Sequence, residues 1–355
     1  MSRNIVHVVG TGTIGEPLIG LLCDFRKELG IDEVTFSKKQ ALLTDRSKVV
    51  ALLRRGAKLC AAGEVWEAFK KLEVEPSFRL EEALERASVI IDCTPVGNQN
   101  KTQLYEKYLH NTKGFIAQGS EFGFGKMYAR GINDSALIPG KDKFLQVVSC
   151  NTHNLSVLIQ TIAHNNGEDL NGLDSGRFVC IRRANDISQD QDFIPGHAVN
   201  RHKEGRFGTH HARDAHELFK TLDLDLSLFS SAIKTNTQYM HTVWFSLLLK
   251  KKIDKSEVLH RLRANDRIAL THKNSSNSVF SFGRDHGHFG RILNQTVIAE
   301  ATVDVVNERE VVGWCFTPQD GNSLLSSVAA TEFFLFSDEF TNKIQCLKPF
   351  FFSEV

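Results

Sequence analysis

No apolar run in the 355-residue chain approaches the roughly 18 residues of an ordinary membrane-spanning helix, so no such helix is expected. Net charge is nearly absent as well. The 43 lysines and arginines face 42 aspartates and glutamates, and no overall field points to nucleic acid or to an anionic membrane. The seven cysteines are odd in number and irregularly spaced, which does not make a disulfide framework and fits a reducing compartment. The opening MSRNIVHVVG enters a strand-like segment without the layout of a signal peptide, so the cytoplasm is the expected location. Fixed-period repeats and low-complexity segments are also missing. What remains, 41% hydrophobic and 24% charged, is ordinary globular composition at a length that suits two domains.

Residues 1–149 alternate strand and helix signals. Apolar runs at Ile5–Val9, Glu33–Ser37, Ser88–Cys93, Gly114–Gln118 and Phe144–Ser149 read as strands, while Pro17–Lys27, Lys48–Leu53 and Val65–Leu72 carry helical spacing. That alternation predicts an α/β fold with a doubly wound parallel sheet. From residue 150 to about 319 the texture is mixed. Asn154–Asn165 reads as a helix and Arg177–Arg183 and Val243–Lys250 as strands, while 184–212 and 273–290 read as loops. Ser323–Thr331 is a candidate helix, and the phenylalanines of FFLFSDEF and KPFFFSEV are assigned to packing or a subunit interface.

Two local patterns carry chemistry. Gly10-Thr11-Gly12-Thr13-Ile14-Gly15 is G-x-G-x-x-G after a strand and before a helix, the setting in which the motif cradles a dinucleotide pyrophosphate at a helix N-terminus. The second strand ends without the usual acidic residue for the ribose 2′-hydroxyl. Ser37, Lys38 and Lys39 stand there instead, either as solvated lysines or as ligands of a 2′-phosphate. In QVVSCNTHNL, Cys150 falls where a strand stops and a helix begins. It is either a small core residue or a thiol whose thiolate form the helix dipole favours. Asp285-His286-Gly287-His288 has no partner cluster, so no metal is expected; Cys93 and Cys180 lie in apolar runs and read as core.

Seven segments fall into one order: GTGTIG at 10–15, IDCTPVGNQN at 91–100, AQGSE at 117–121, VVSCNT at 147–152, CIRRAND at 180–186, GTHHARD at 208–214 and QYMHTVW at 238–244. Together they resemble the archaeal-type (type II) phosphorylating glyceraldehyde-3-phosphate dehydrogenases, over roughly residues 3 to 330. The resemblance implies a Rossmann domain at 1–149, completed by a C-terminal helix at about 320–345. An α+β catalytic domain with a mixed or antiparallel sheet would follow at 150–319. It implies reversible oxidation of glyceraldehyde 3-phosphate to 1,3-bisphosphoglycerate with NADP or NAD and inorganic phosphate, through a cysteine thioester, in a homotetramer or dimer. By position, Cys150 is implied as nucleophile and His241 as general base. Thr94, Pro95, Gly97, Gln118 and Gly119 join the glycine-rich loop and the two lysines as cofactor contacts. Ser149, Asn151, Thr152, Arg182, Arg183, His210 and His211 are implied around the phosphates, with Arg182 the leading arginine.

This chemistry is self-consistent. A thiolate forms a hemithioacetal readily, an imidazole manages the hydroxyl proton as hydride leaves, and arginine forks and imidazoles hold two anions. Three places depart from the family pattern: His153 in place of a threonine, NDIS after the paired arginines, and PQDGNSLL near the C-terminus. They keep open a relative acting on another aldehyde or acyl phosphate, and, from a different class, a dinucleotide-binding paralogue without turnover.

Overall fold

The structure is a computed structural model that describes residues 3–119, 121–186, 193–318 and 320–355. The chain divides into two compact units. The first comprises residues 1–130, 137–147 and 324–348, the second 131–136, 148–323 and 349–355.

The first unit is built on one eight-stranded sheet. Its strands are β1 (Ile5–Val9), β2 (Glu33–Ser37), β3 (Lys58–Ala61), β4 (Phe78–Arg79), β5 (Val89–Asp92), β6 (Gly114–Gln118), β7 (Lys126–Tyr128) and β8 (Phe144–Val147). Every pairing is parallel, in the order β4-β3-β2-β1-β5-β6-β8-β7. The expected doubly wound sheet is therefore present. Helices α1 (Gly15–Asp24), α2 (Arg46–Arg54), α3 (Gly63–Lys71), α4 (Leu80–Arg86) and α5 (Gly97–Gln103) connect the strands. A sheet covered on both faces needs near-continuous apolar strands, and Val6, Val8, Val34, Phe36, Val89 and Ile91 are all fully buried. His7 is the polar exception. Its ring spans the hydroxyls of Thr35 (2.7 Å) and Ser37 (3.0 Å), and burial pushes its pKa down to about 3. The strand order reverses between β1 and β5, so the turns that follow these two strands emerge side by side at their carboxyl ends. That is where open α/β sheets bind ligands.

The second unit holds helix α6 (Cys150–Leu158), which continues into a π-turn at Ile159–Ala163, and a mixed sheet. Its strands are β9 (Leu173–Arg182), β10 (Ala198–Val199), β11 (Leu228–Lys234), β12 (His241–Leu249), β13 (Ile268–Thr271), β14 (Thr296–Ala299), β15 (Asp304–Val306) and β16 (Glu310–Thr317), with helices α7 (His210–Lys220), α8 (Lys255–Arg263) and α9 (Ser276–His286). The order is β10-β11-β9-β12-β16-β14-β13, with β15 on β16; β9 runs parallel to β11 and antiparallel to β12. Burial alternates along β12 and β16, as in a sheet packed on one face. Helix α10 (Gly321–Leu335) opens in this unit, belongs to the first unit from Leu324 onward, and is followed by α11 (Phe340–Lys343).

Several local expectations are corrected. Segment 273–290 is not a loop. Ser275 caps α9 by accepting from the Ser278 N–H, and Val279 and Gly283 are buried on its inner face, a short apolar stripe hidden among serines. Segment 184–212 holds β10 and the start of α7, with 187–192 outside the described residues. The helix expected from Asn154 starts at Cys150, because Ser149 is its cap.

Candidate active site

In the first unit the glycine-rich loop has the shape its sequence requires. Gly10 adopts φ +92°, and its N–H donates to the Ser37 carbonyl at 2.9 Å. A side chain at Gly15 would collide with the Gly10 carbonyl, so only glycine lets α1 start this close to β1. Nothing lies within 4 Å of where a Cβ would stand on Gly12, and the Thr11 hydroxyl is buried without a hydrogen-bond partner. Ile14 stands at the cap position of α1 and offers no side-chain cap; Thr13 completes the turn. An open cradle at a helix N-terminus, with an orphaned hydroxyl, fits the pyrophosphate of a dinucleotide.

Asp92 organises the second turn at the reversal point, a role that the sequence reading missed. It is fully buried at the end of β5. One oxygen accepts the Thr94 N–H (2.8 Å) and hydroxyl (2.6 Å); the other accepts Asn100 Nδ2 (2.7 Å) and the Tyr105 hydroxyl (2.6 Å). Four donors fix Thr94 and the start of α5 at Gly97, and leave Pro95 exposed beside them. An acid closing an apolar strand was the available signal. On the next strand, Gln118 Nε2 donates to Ser327 at 2.7 Å while its Oε1 is buried without a partner, and the Gly119 N–H donates to the Val147 carbonyl.

Beyond β2, Lys39 is exposed, whereas Lys38 is not a free cation. Its ammonium lies 2.5 Å from Asp45, which holds the Asp45 carboxyl below its usual range. Lys48, in the first turn of α2, reaches the Thr11 carbonyl at 3.3 Å and also faces Glu16 and Asp45, each at 3.6 Å.

In the second unit the Cys150 segment forms the first turn of α6. Ser149 accepts the Thr152 N–H at 3.3 Å, a cap that contributes about 1 kcal/mol. Asn151 and Thr152 are buried, and Asn322 donates to the Cys150 carbonyl at 3.0 Å. Cys150 sits at the favourable end of the helix dipole, but burial opposes the thiolate. Burial pushes the thiol up to about 11, with Asp320 and Asp186 adding to the effect and Arg183 and Arg182 opposing it. The other six thiols are driven as high or higher, again through burial: Cys346 to about 11, Cys23, Cys60 and Cys315 to about 12, and Cys93 and Cys180 further upward.

His241 opens β12, and its cross-strand neighbour on β16 is Thr317. The Thr317 hydroxyl donates to Asn151 Oδ1 at 3.2 Å and accepts from Asn154 Nδ2 at 2.7 Å, which ties the His241 end of the sheet to the turn that carries Cys150. The Arg183 N–H donates to His241 Nδ1 at 3.2 Å, so the neutral ring carries its proton on Nε2. Burial, reinforced by Arg183 and Arg182, lowers the His241 pKa to about 3. Arg183 is buried and paired with Asp186 at 2.7 Å. Arg182 is half-buried with no ion-pair partner among the described residues, and it contributes to lowering the pKa values of His210 and His211. Those two rings lie 4.0 Å apart at the start of α7, which Ser230 anchors by accepting the Ala212 N–H at 3.0 Å. His211 is buried with neither ring nitrogen bonded. A cavity of about 390 Å³ beside His210 and Thr209 is lined also by Asn200, Arg201 and Lys203.

His153, where the family pattern has a threonine, is fully buried one turn from Cys150; its Nδ1 contacts the Ser149 carbonyl at 3.0 Å. Asp285 pairs with Arg284, and among the described residues no group of three or more His, Cys, Asp or Glu is placed to hold a metal. No described helix is long and apolar enough to cross a membrane.

No protein-family model matches the chain. Among curated proteins it is similar to the glyceraldehyde-3-phosphate dehydrogenase of Sulfolobus acidocaldarius, 27% identical over 308 residues that cover 84% of this chain and 82% of that protein. The same-named protein of Pyrobaculum islandicum is 25% identical over 299 residues, 79% and 78% of the two chains. That of Saccharolobus islandicus is 28% identical over 229 residues, 61% and 60%. With the seven motifs in order and a doubly wound parallel sheet followed by a mixed one, the chain is similar to the archaeal-type glyceraldehyde-3-phosphate dehydrogenases.

Proposed function

We propose that the protein oxidises glyceraldehyde 3-phosphate to 1,3-bisphosphoglycerate with NADP or NAD and inorganic phosphate, reversibly, through a thioester on Cys150. The observation that carries this reading is the second unit's constellation. Cys150 stands at a helix N-terminus, His241 is tied to the same turn through Thr317, and Arg182 is close enough to His210 and His211 to act on both electrostatically. Residues 1–149, with the C-terminal helix, supply the dinucleotide site through Gly10–Gly15, Thr94, Pro95, Gly97, Gln118 and Gly119; residues 150–319 supply the chemistry. A cytoplasmic homotetramer or dimer completes the proposal; the exposed Trp314, cross-strand neighbour of Trp244, supports the oligomer alone.

The Cys150 thiol releases its proton to solvent and its sulfur adds to the aldehyde carbon as the carbonyl π bond opens onto oxygen, giving a hemithioacetal. His241 governs the proton on the hemithioacetal oxygen. In the resting tautomer its Nε2–H donates to that oxygen and favours the alkoxide from which hydride departs; taking the hydroxyl proton outright requires the other tautomer, without the Arg183 hydrogen bond. When bound, the nicotinamide supplies the hydride-accepting chemistry. Phosphate then attacks the thioester carbon, the carbon–oxygen bond forms, and the Cys150 thiolate leaves. Arg182 and the imidazoles of α7 neutralise the two phosphates.

The buried His153 favours a second reading, a related dehydrogenase for another aldehyde or acyl phosphate, because an imidazole replaces a small hydroxyl one turn from the nucleophile. One experiment separates these readings: NADPH and NADH absorbance with a panel of aldehydes, with and without phosphate or arsenate, for the wild type and Cys150→Ser. Phosphate-dependent turnover of glyceraldehyde 3-phosphate, lost in Cys150→Ser, supports the first. Preference for another aldehyde supports the second, and binding without any turnover identifies a non-catalytic paralogue.

A further inference from the structure

The carboxylate missing from the end of β2 is present in space. Asp45 ends the single 3-10 turn before α2 and stands at the cap position of that helix, where its carboxylate would ordinarily accept a backbone N–H. It caps nothing. Instead it lies 2.5 Å from Lys38 and 3.6 Å from Lys48, and Lys48 in turn touches the Thr11 carbonyl inside the glycine-rich cradle. Lys38 directly follows Ser37, whose carbonyl accepts the Gly10 N–H. Two ammonium groups and the Asp45 carboxylate, with Glu16 of α1 a second carboxylate 3.6 Å from Lys48, all half-buried, therefore border the loop that cradles a pyrophosphate, on the side where the second strand ends.

Resting on the dinucleotide reading above, we propose that Asp45, Lys38 and Lys48 form an exchangeable ion cluster that sets cofactor choice. Asp45 accepts the ribose 2′-hydroxyl of NAD, and a 2′-phosphate displaces Asp45 from the two lysines. A ribose hydroxyl is a donor and suits the carboxylate, with Lys38 and Lys48 holding that carboxylate in place. A 2′-phosphate brings about two negative charges and must compete with Asp45 for the same ammonium groups. The opposing demands explain why lysines and an aspartate occur together at one subsite. A plain NADP site has no use for Asp45, and a plain NAD site has none for Lys38.

Isothermal titration calorimetry with two redox-inert fragments, ADP-ribose and 2′-phospho-ADP-ribose, tests this in the full-length protein. The wild type is expected to bind both. Asp45→Asn should weaken ADP-ribose roughly three- to tenfold while leaving 2′-phospho-ADP-ribose unchanged or tighter, because a competing charge is gone. Lys38→Ala should weaken 2′-phospho-ADP-ribose by a similar factor and ADP-ribose less, and added salt should erode only the phosphorylated fragment's advantage. Equal changes for both fragments in Asp45→Asn, or none for either, would overturn the cluster's role while leaving the dinucleotide site standing. A wild type that binds neither fragment takes the dinucleotide reading down with it.

Discussion

Asp92→Asn is the sharpest test of how the first unit holds its ligand-facing turn. The substitution keeps size and shape and removes the charge. In the native protein each carboxylate oxygen accepts two donors, Thr94 N–H and hydroxyl on one, Asn100 and Tyr105 on the other. An amide has one oxygen. Whichever way it turns, its NH2 group faces a donor, the Thr94 N–H or Asn100 Nδ2, that cannot reverse. Hydrogen bonds to a charged acceptor contribute about 1.5–3 kcal/mol each, and an unpaired buried donor costs about 1–3 kcal/mol. Losing two such bonds with partial relaxation should cost about 3–5 kcal/mol, or a Tm decrease of roughly 6–15 °C. Tyr105→Phe removes one donor, leaves the carboxylate three, and keeps the ring stacked on Phe115 at 5.6 Å; it should cost about 1–2 kcal/mol. Urea unfolding followed by circular dichroism measures both. At temperatures where Asp92→Asn is folded, calorimetry should also show weaker dinucleotide binding, because Thr94 loses its anchor. A loss below about 1 kcal/mol for Asp92→Asn, or a Tyr105→Phe penalty as large as that of Asp92→Asn, would refute the reasoning.

Other outcomes follow from the second unit and from α10. Since the Cys150 thiol titrates near 11, its alkylation by iodoacetamide should speed up about tenfold per pH unit between about pH 7 and 10; a rate already level at pH 8 would contradict the burial argument. His241→Ala should slow acyl-enzyme formation roughly 10²–10⁴-fold, and His241→Gln, which retains a donor near the Nε2 position, should recover part of that in stopped-flow measurements. Arg182→Ala should raise the KM for phosphate or for the phosphorylated aldehyde by the worth of a charge-assisted hydrogen bond, about 1.5–3 kcal/mol, and an unchanged KM for both would place the anions elsewhere. Glu332 is buried on α10 with both oxygens unpartnered, and burial raises its pKa from 4.5 to about 8. A raised acid favours the folded state fully below its unfolded pKa, and the advantage fades as pH rises through the folded value. Glu332→Gln should therefore increase Tm by several degrees at pH 8 and by much less at pH 5; equal shifts at both would sink the assignment.

Much of the protein was legible in the chain itself because the decisive signals are local. The strand before Gly10-Thr11-Gly12, the glycine that must follow at position 15, and the alternation of apolar runs with helical spacing depend on neighbours a few residues away, so the doubly wound sheet could be read directly. The start of α6 reads at Asn154, four residues late, because Ser149 is not read as its cap. Alternating patterns in the second half were too short to give the strand order, and α9 hid because its apolar stripe is two residues deep. Ionisation and charge pairing needed the fold. Whether Cys150 is a ready thiolate depends on Asp320 and Asp186, which are distant in sequence, and on how much water the fold removes. Asp92 became visible as a hub only once Tyr105 and Asn100 were brought to it. Asp45 was invisible as a partner of Lys38 because a turn of unspecified direction separates them. The chain determined which elements form; only the tertiary structure decided which charges meet, since electrostatic interactions depend on distance through space and not on separation along the backbone.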